Sequence, residues 1–461
     1  MGDTRRRTRA SAGIAIAGLF ALLLSVCVMV GCGNQSGGQS GNQAPSNTPA
    51  ASGEPAATAP DAATSTEALS ADALKSFSAG LPTGSLEIFD APDSPTELTA
   101  TETEKVDRAI RAYKAPEKSL LVNKAKNFYF KSQLSGDLKE LYDVIYSLFS
   151  DPTNADAYFS LKLKSTEDED EFLDDVSLAW LAVQYDHPEF FWAYNGLEVT
   201  MNIGKPHKTS NEYIFYLDKP YKRYENEMKA FNDAVDSFMN DIDLEGSDYQ
   251  IARQIHDKLI AMVTYDDEAV KSETNDLAHT AYGALVENSS GMPHMAVCDG
   301  YSQAFVYLLQ QAGIDAAVVL GEGGSSKSGT GPHAWSMVKL GEEWYEVDST
   351  WDDQTQTWRE ALAAAKQDDP TNELIPYLDA AFGNQAYCDA LDHAYYNLTT
   401  AQMSDYEPTT ATMFVFSDGK ALQPVEPTVH TRADKLSSQP GYDKLMALLP
   451  TATGTEYAYA S

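Results

Sequence analysis

From Cys298 onward, apolar residues recur at Tyr301, Ala304, Phe305, Leu308, Leu309 and Ala312. That is the i, i+3, i+4, i+7 stripe of a helix with one buried face, and Gly313 stands where a left-handed cap ends such a helix. The spacing predicts a helix beginning at or just before Cys298. Further on the period changes. HAWSMVKL and EWYEVDSTW are rich in aromatic and β-branched residues and flank Gly341-Glu342, which predicts a hairpin. With a two-residue loop, Leu340 faces Glu343, Trp335 faces Asp348 and His333 faces Thr350. His333 and Asp348 then become diagonal neighbours on one face, roughly 7 to 8 Å apart at the backbone and within side-chain reach.

Two helices are expected over residues 225 to 263. The second opens on Ser247 to Gln250, a capping-box pattern, and carries Ile251, Ile255, Leu259 and Met262 on one stripe. Between the Cys298 helix and the hairpin, GEGGSSKSGTGP (residues 321 to 332) reads as a loop bordering the cleft. It lacks the Gly-Lys-Ser/Thr ending of a phosphate loop. From about Ser70 to Pro220 the patterns are mixed. Thr103 to Tyr113 and Leu138 to Phe149 look helical, EYIFYLDKPY looks like a strand, and the stretch is expected to form an α+β accessory domain. His187, Pro188 and Trp192 there read as core more readily than as a groove lining. After about Thr410, MFVFSDGKAL reads as a hairpin and Tyr442 to Leu449 as a short helix, with no motif that carries chemistry.

The N-terminus has a different character. Arg5, Arg6, Arg7 and Arg9 precede an apolar run from Ile14 to Val30, just short of a membrane span, and then Gly31-Cys32. Met29-Val30-Gly31-Cys32 looks like a bacterial lipobox, in which cleavage leaves a lipidated Cys32; an ordinary secretory signal or an uncleaved anchor is the alternative. Residues 33 to about 70 are Gly, Ser, Asn, Gln, Ala, Thr and Pro, a composition that buries no core and reads as a tether. The expected organisation is a signal peptide over 1–31, tether over 32–70, accessory domain over 71–224, catalytic domain over 225–410 and C-terminal extension over 411–461. The protein is then exported and lipid-anchored to the outer face of a bacterial cytoplasmic membrane, or secreted. A net charge of -35 argues against nucleic acid as a partner and suits a soluble exported body.

Four cysteines occur, at 27, 32, 298 and 388. The leader and lipidation account for the first two, which leaves Cys298 and Cys388; a disulfide between them is the bland alternative to a reactive thiol. The context of Cys298 favours the thiol. At a helix start, unpaired N–H groups and the positive dipole end favour thiolate, moving the pKa from about 8.5 towards neutrality, and the same N–H groups suit an oxyanion. Cys298, His333 and Asp348 are thus candidates for nucleophile, general base then acid, and orienting carboxylate. Gly300, Tyr301 and Trp335 are the residues expected to frame them, with Gly300 sparing bulk beside the sulfur. Of the eight histidines, only His333 has an aromatic strand context with an Asp at hairpin range; His256 reads as a satisfied histidine, and His279 and His294 are near the nucleophile in sequence alone.

The words VCDGYSQAF, GPHAW and WYEVDSTWDD, in this order, resemble the transglutaminase-like superfamily, and looser likeness extends over residues 225 to 410. The resemblance implies a papain-like α+β core, a nucleophile helix packed on an antiparallel sheet, and carries over Cys298, His333 and Asp348; it also implies that the chain approaches the site at Tyr265-Asp266-Asp267, which makes Tyr265 a candidate to frame the three. The expected activity is attack on a peptide or protein amide at the cell envelope through a Cys298 thioester. Hydrolysis is preferred, because excluding water from a thioester is the harder requirement. Transfer to a lysine amine and an inactive, binding form of the fold stay open. No cofactor is called for, and no metal is expected, since Cys, His and Asp occur without the close Cys pairs of structural zinc sites. Substrate identity and oligomeric state are open.

Overall fold

The computed structural model of the chain describes residues 82–90, 123–150, 157–163, 169–192, 197–200, 212–217, 224–270, 276–325, 329–368, 370–371, 375–407, 414–417, 421–424, 427–436 and 442–459. The leader, Cys32, the tether and the helix expected over Thr103 to Tyr113 lie outside those residues. Among the described residues, no helix is long and apolar enough to cross a membrane.

The architecture is α+β. Strands β1 (Pro82–Asp90), β2 (Ala157–Leu163), β3 (Leu197–Thr200) and β4 (Glu212–Leu217) form an antiparallel sheet in the order β1-β2-β4-β3. Helices α1 (Tyr129–Gln133), α2 (Gly136–Phe149) and α3 (Glu169–Asp186) are interleaved with it in sequence. Next come α4 (Tyr224–Asn240) and α5 (Asp248–Met262). The Ser247 side chain accepts from the Gln250 amide and the Gln250 side chain from the Ser247 amide, so the capping box fixes where α5 begins. A two-residue strand, β5 (Thr264–Tyr265), pairs in parallel with β6 (Met295–Ala296) and feeds α6 (Cys298–Gln311).

The second sheet carries the chemistry. Strands β7 (Ala316–Ser325), β8 (Gly329–Leu340) and β9 (Glu343–Val347) run antiparallel, and the order is β12-β7-β8-β9, where β12 is Thr428–Arg432. The β8–β9 turn has the expected register, Leu340 opposite Glu343 through Ser336 opposite Val347, with Gly341 at φ +62° as the first residue of the loop. A hairpin also forms from β10 (Phe414–Ser417) and β11 (Ala421–Pro424), as MFVFSDGKAL suggests.

Two expectations need correction. Most of the stretch expected as a loop is strand: Gly321 to Ser325 end β7 and Gly329 to Pro332 begin β8, paired with one another, while residues 326–328 lie outside the described residues. Glycine is a poor strand former alone, but here partners on both sides supply the backbone hydrogen bonds that its missing side chain does not. The C-terminal stretch, read as holding no motif that carries chemistry, contributes β12 as an edge of the same sheet and with it His430.

Helix α6 also departs from the one-faced pattern, since all fourteen of its residues are buried. The sheet covers one side, where the Ser336 hydroxyl donates to the Ser302 carbonyl at 3.4 Å. Phe231 of α4 packs on Tyr307 at 5.3 Å between ring centroids, and His256 of α5 lies edge-on to Phe305 at 6.0 Å. At the far end the Gln310 side chain donates to the Asp186 carbonyl of α3 at 3.0 Å. Residues of α1, α2 and α3, including Phe130, Tyr142, Trp180 and Tyr185, join one buried cluster with α6, the second sheet and the C-terminal Leu445 and Met446. His187 and Trp192 are core as expected: Trp192 donates to the Phe149 carbonyl at 3.1 Å and His187 contacts Glu189 at 2.9 Å.

Asp186 ties these layers together. Its carboxylate accepts from the Phe130 and Lys131 amides at 2.9 and 2.8 Å and from the Tyr142 hydroxyl at 2.9 Å. Burial pushes its pKa up to about 6, against the pull of neighbouring His187 and these donors. Asp186→Ala leaves three donors without their acceptor in the core. It is expected to cost about 2 to 4 kcal/mol in denaturant unfolding, the scale set by buried polar groups left unpaired; a change under about 0.5 kcal/mol would show that α1 and α2 are not part of the cooperative core.

Candidate active site

Cys298 is the first residue of α6, with Val297 as an extended N-cap that makes no side-chain cap hydrogen bond. The start of the helix is fixed by backbone pairing on both sides. Asp266 N–H donates to the Ala296 carbonyl at 3.0 Å, and Val297 N–H to the Ala278 carbonyl at 3.0 Å. Cys298 is 3% exposed, and neither it nor Cys388 is in a disulfide. Cys388 is buried elsewhere, its thiol donating to the Phe382 carbonyl at 3.4 Å.

Gly300 serves a different purpose from the one expected. A Cβ there would stand 2.3 Å from the Ala278 carbonyl oxygen, so the glycine admits the 277–279 turn against the helix rather than clearing the sulfur. That turn brings His279 to Asp299, 3.0 Å from Nδ1 to Oδ1, with both side chains buried. His279 is therefore a structural neighbour of the nucleophile and not near it in sequence alone. Burial alone would lower the pKa of His279; the Asp299 carboxylate outweighs it and holds the pKa raised. Tyr265 pairs with Ala296, and its ring is 6.5 Å from that of Tyr301, whose hydroxyl donates to Asp353 at 2.8 Å.

His333 projects from β8 and its Nε2 lies 2.6 Å from Asp348 Oδ2. Its Nδ1 is buried with no hydrogen-bond partner among the described residues. The ring is stacked against Trp335 at 6.0 Å and Trp351 at 5.0 Å between centroids, so its plane is set by two indoles. Trp335 is itself held, Nε1 donating to Glu346 at 2.8 Å.

Asp348 has a further partner. His430 of β12 places its Nε2 2.9 Å from the same Oδ2, while Oδ1 accepts the Thr350 and Trp351 amides at 3.0 and 3.1 Å. Burial would raise the Asp348 pKa, but His333 and then His430 outweigh it and hold it well below the carboxylate range. Burial lowers the pKa of His430, with Asp348 opposing. A neutral His430 donating Nε2–H to an ionised Asp348 is the state these shifts favour.

The sheet explains how two histidines reach one carboxylate. His333 faces Gly321 on β7, Gly323 faces His430 on β12, and residues opposite or two apart share a face. Only glycines therefore separate the two imidazoles across β7. A Cβ at Gly323 would meet His333 Cδ2 at 2.8 Å. Sequence reasoning passed over His430 and both glycines. TVHTR is a short β-branched run, which is a strand signal, but 82 residues separate His430 from Asp348.

Residues 236–349 match the family model of the Transglutaminase-like superfamily, a stretch that includes Cys298, His333 and Asp348. A solved structure described as "Crystal structure of a TGase" is similar at 18% identity, covering 34% of this chain and 44% of that chain, with a TM-score of 0.22. The chain thus spans less than half of that structure's length. No curated protein matches. The chain carries a transglutaminase-like domain.

Two predictions follow from the shared carboxylate. His430→Ala should slow alkylation of Cys298 about tenfold, on the scale of orienting contacts to a catalytic histidine's partner, with His430→Gln recovering part of the rate through its amide donor; an unchanged rate would make His430 a packing residue only. The lowered pKa of Asp348 means that its ionised form contributes stability that is complete above the unfolded value of about 3.9 and is lost as pH falls below it. Unfolding free energies of the wild type and Asp348→Asn should therefore differ by about 3 to 5 kcal/mol near pH 7, with the gap beginning to narrow only as pH falls below about 4 and continuing to close at lower pH. A gap independent of pH would contradict the assignment.

Proposed function

We propose that this protein is an extracytoplasmic thiol enzyme that cleaves peptide or protein amides through a Cys298 thioester. The observation that carries the reading is the state of His333: Nε2 faces Asp348, two indoles fix the ring, and Nδ1 is left as the buried base. With Nε2–H donated to Asp348, the lone pair on Nδ1 accepts the thiol proton as Sγ bonds to the amide carbonyl carbon. Collapse of the tetrahedral adduct breaks the C–N bond, and His333 returns the proton to the departing amine. Water then attacks the thioester with His333 as base, the C–S bond breaks, and the carboxylic acid product leaves Cys298 as thiol. Asp348 orients the imidazole and stabilises its protonated form; His430 holds Asp348.

The helix start supports the nucleophile's role through its dipole and N–H groups. Export and lipid anchoring rest on the leader, the Met29 to Cys32 lipobox and the tether that follows. With Cys32 lipidated, the substrate is a peptide or protein at the cell envelope and the membrane is reached through the lipid.

The test is brief iodoacetamide treatment at mildly acidic pH, with the adduct mapped by mass spectrometry. Cys298 should be labelled in preference to Cys388, and His333→Ala should slow labelling roughly 100-fold, the lower end of general-base contributions. Incubation with an unfolded glutamine-containing protein and a primary-amine probe then separates outcomes. Hydrolysis gives new termini or deamidated side chains without probe incorporation; incorporation of the probe would replace hydrolysis by acyl transfer. Absence of His333-dependent labelling would sink both in favour of a binding module.

A further inference from the structure

Away from Cys298, a second set of histidines converges on one carboxylate. Helix α5 presents His256 and Asp257 side by side, and His393 follows α9, used here for Gln385–Leu391, with α7 (Thr355–Asp368) and α8 (Ile375–Phe382) lying between in sequence. His393 Nε2 lies 2.8 Å from Asp257 Oδ1, and His256 Nδ1 lies 3.2 Å from the same oxygen. One outer nitrogen is held by a hydrogen bond. His393 Nδ1 is 2.7 Å from the Asp389 carbonyl, which accepts only if Nδ1 carries the proton, so His393 is set to offer its inner nitrogen as a lone pair, the arrangement in which ligating histidines are held by an outer carbonyl or carboxylate. His256 Nε2 is 3.2 Å from Asp352 Oδ2, in ion-pair range, and its Nδ1 would ligate with release of a proton. Rings fix the planes: His393 stacks on Tyr459 at 4.6 Å, and His256 lies 4.6 Å from Tyr396.

We propose that His256, Asp257 and His393 form a binding site for a zinc-type divalent cation, with one coordination position open to the adjoining cavity. Three ligands at zinc bond lengths of about 2.0 to 2.1 Å in tetrahedral geometry stand about 3.3 Å apart. The two histidine-to-carboxylate separations, 2.8 and 3.2 Å, are within about half an ångström of that value. The ligand atoms all lie within 4.8 Å of one another. The cavity, about 590 Å³, is lined by both Asp257 and His393, with Asp353, Asp389 and Asp392 against the single cation of Arg359. Arg253 occupies the other side of the carboxylates, its Nε 3.5 Å from Asp257 Oδ2 and its Nη2 2.8 Å from Asp389 Oδ1, which leaves Asp257 Oδ1 to the cation.

His333, Asp348 and His430 form a cluster of the same composition. The difference is the Asp389 carbonyl, which fixes His393 Nδ1 as the protonated nitrogen. Nδ1 of His333 and of His430 has no hydrogen-bond partner among the described residues, so nothing there fixes the inner nitrogens as lone pairs, and Asp348 is served as an acceptor instead.

The test is titration of the full chain, stripped with a chelator, with Co²⁺ and then with Zn²⁺. One equivalent of Co²⁺ should bind and give visible d–d bands without thiolate charge transfer, Zn²⁺ should displace it, and Cys298→Ala should behave as wild type. His393→Ala should abolish stoichiometric binding, and Asp352→Asn, which removes an outer contact, should weaken it roughly 10- to 100-fold. Circular dichroism checks that each variant folds; if His393→Ala does not, Asp257→Asn and His393→Gln serve in its place. Failure of the folded wild type to bind one equivalent would overturn the proposal. So would binding that survives in a folded His393 variant, or binding that shows thiolate charge transfer and is lost in Cys298→Ala. Alkylation of Cys298 is read separately, so loss of the metal site and loss of the thiol mechanism remain distinguishable.

Discussion

The buried carboxylate of Asp348 is the constraint on which the site depends. An ionised group with no exposure is costly unless its lone pairs are filled, and here two imidazoles and two backbone amides fill them. Each donor imposes a structural demand. The amides of Thr350 and Trp351 require the chain to turn tightly after β9. The His333 contact requires the register of the β8–β9 hairpin, and His430 requires a fourth strand from far along the chain. The glycines of β7 allow both rings to cross the strand between them. Much of the sheet can be understood as the housing of one charge.

The nucleophile is held by a different principle. Enclosure of α6 on all sides removes any freedom for the helix to slide or rotate, since interiors at close packing transmit displacement rather than absorb it. The pieces that enclose it come from both ends of the chain: α3 through Gln310 and Asp186, α4 and α5 through aromatic contacts, and the sheet through Ser336. Cys298, the first residue of a helix so confined, is held in place by the packing around that helix.

The parts of this arrangement visible in the sequence are those encoded locally. The α6 stripe, the Ser247 capping box and the Gly341 turn each lie within a few residues, and the hairpin register read from the sequence is enough to bring His333 and Asp348 together. What stayed hidden is non-local. His430 contributes through a contact across 82 residues, and the glycines of 321–325 and 329–331 look like loop until neighbouring strands supply their hydrogen bonds. His279 likewise looked incidental because its partner, Asp299, is reached only after the 277–279 turn folds back on Gly300. Helix α6 reads as amphipathic because Gln303, Gln310 and Gln311 are polar, yet these are buried; Gln303 donates to the His279 carbonyl and Gln310 to that of Asp186, contacts that no periodicity encodes.

The two histidine clusters stand at the ends of one turn. Asp352 N–H donates to the Asp348 carbonyl at 3.0 Å, and Tyr395 bridges both residues, accepting from the Asp348 amide at 3.1 Å and donating its own amide to Asp352 Oδ1 at 2.7 Å. Asp348 faces the base of the thiol site, whereas Asp352 faces His256. Burial pushes the pKa of Asp352 up to about 6, against the pull of His256, while Asp348 is held far below its ordinary range by two imidazoles. The same residue type, four positions apart and equally buried, is thus tuned in opposite directions by the number and direction of its donors.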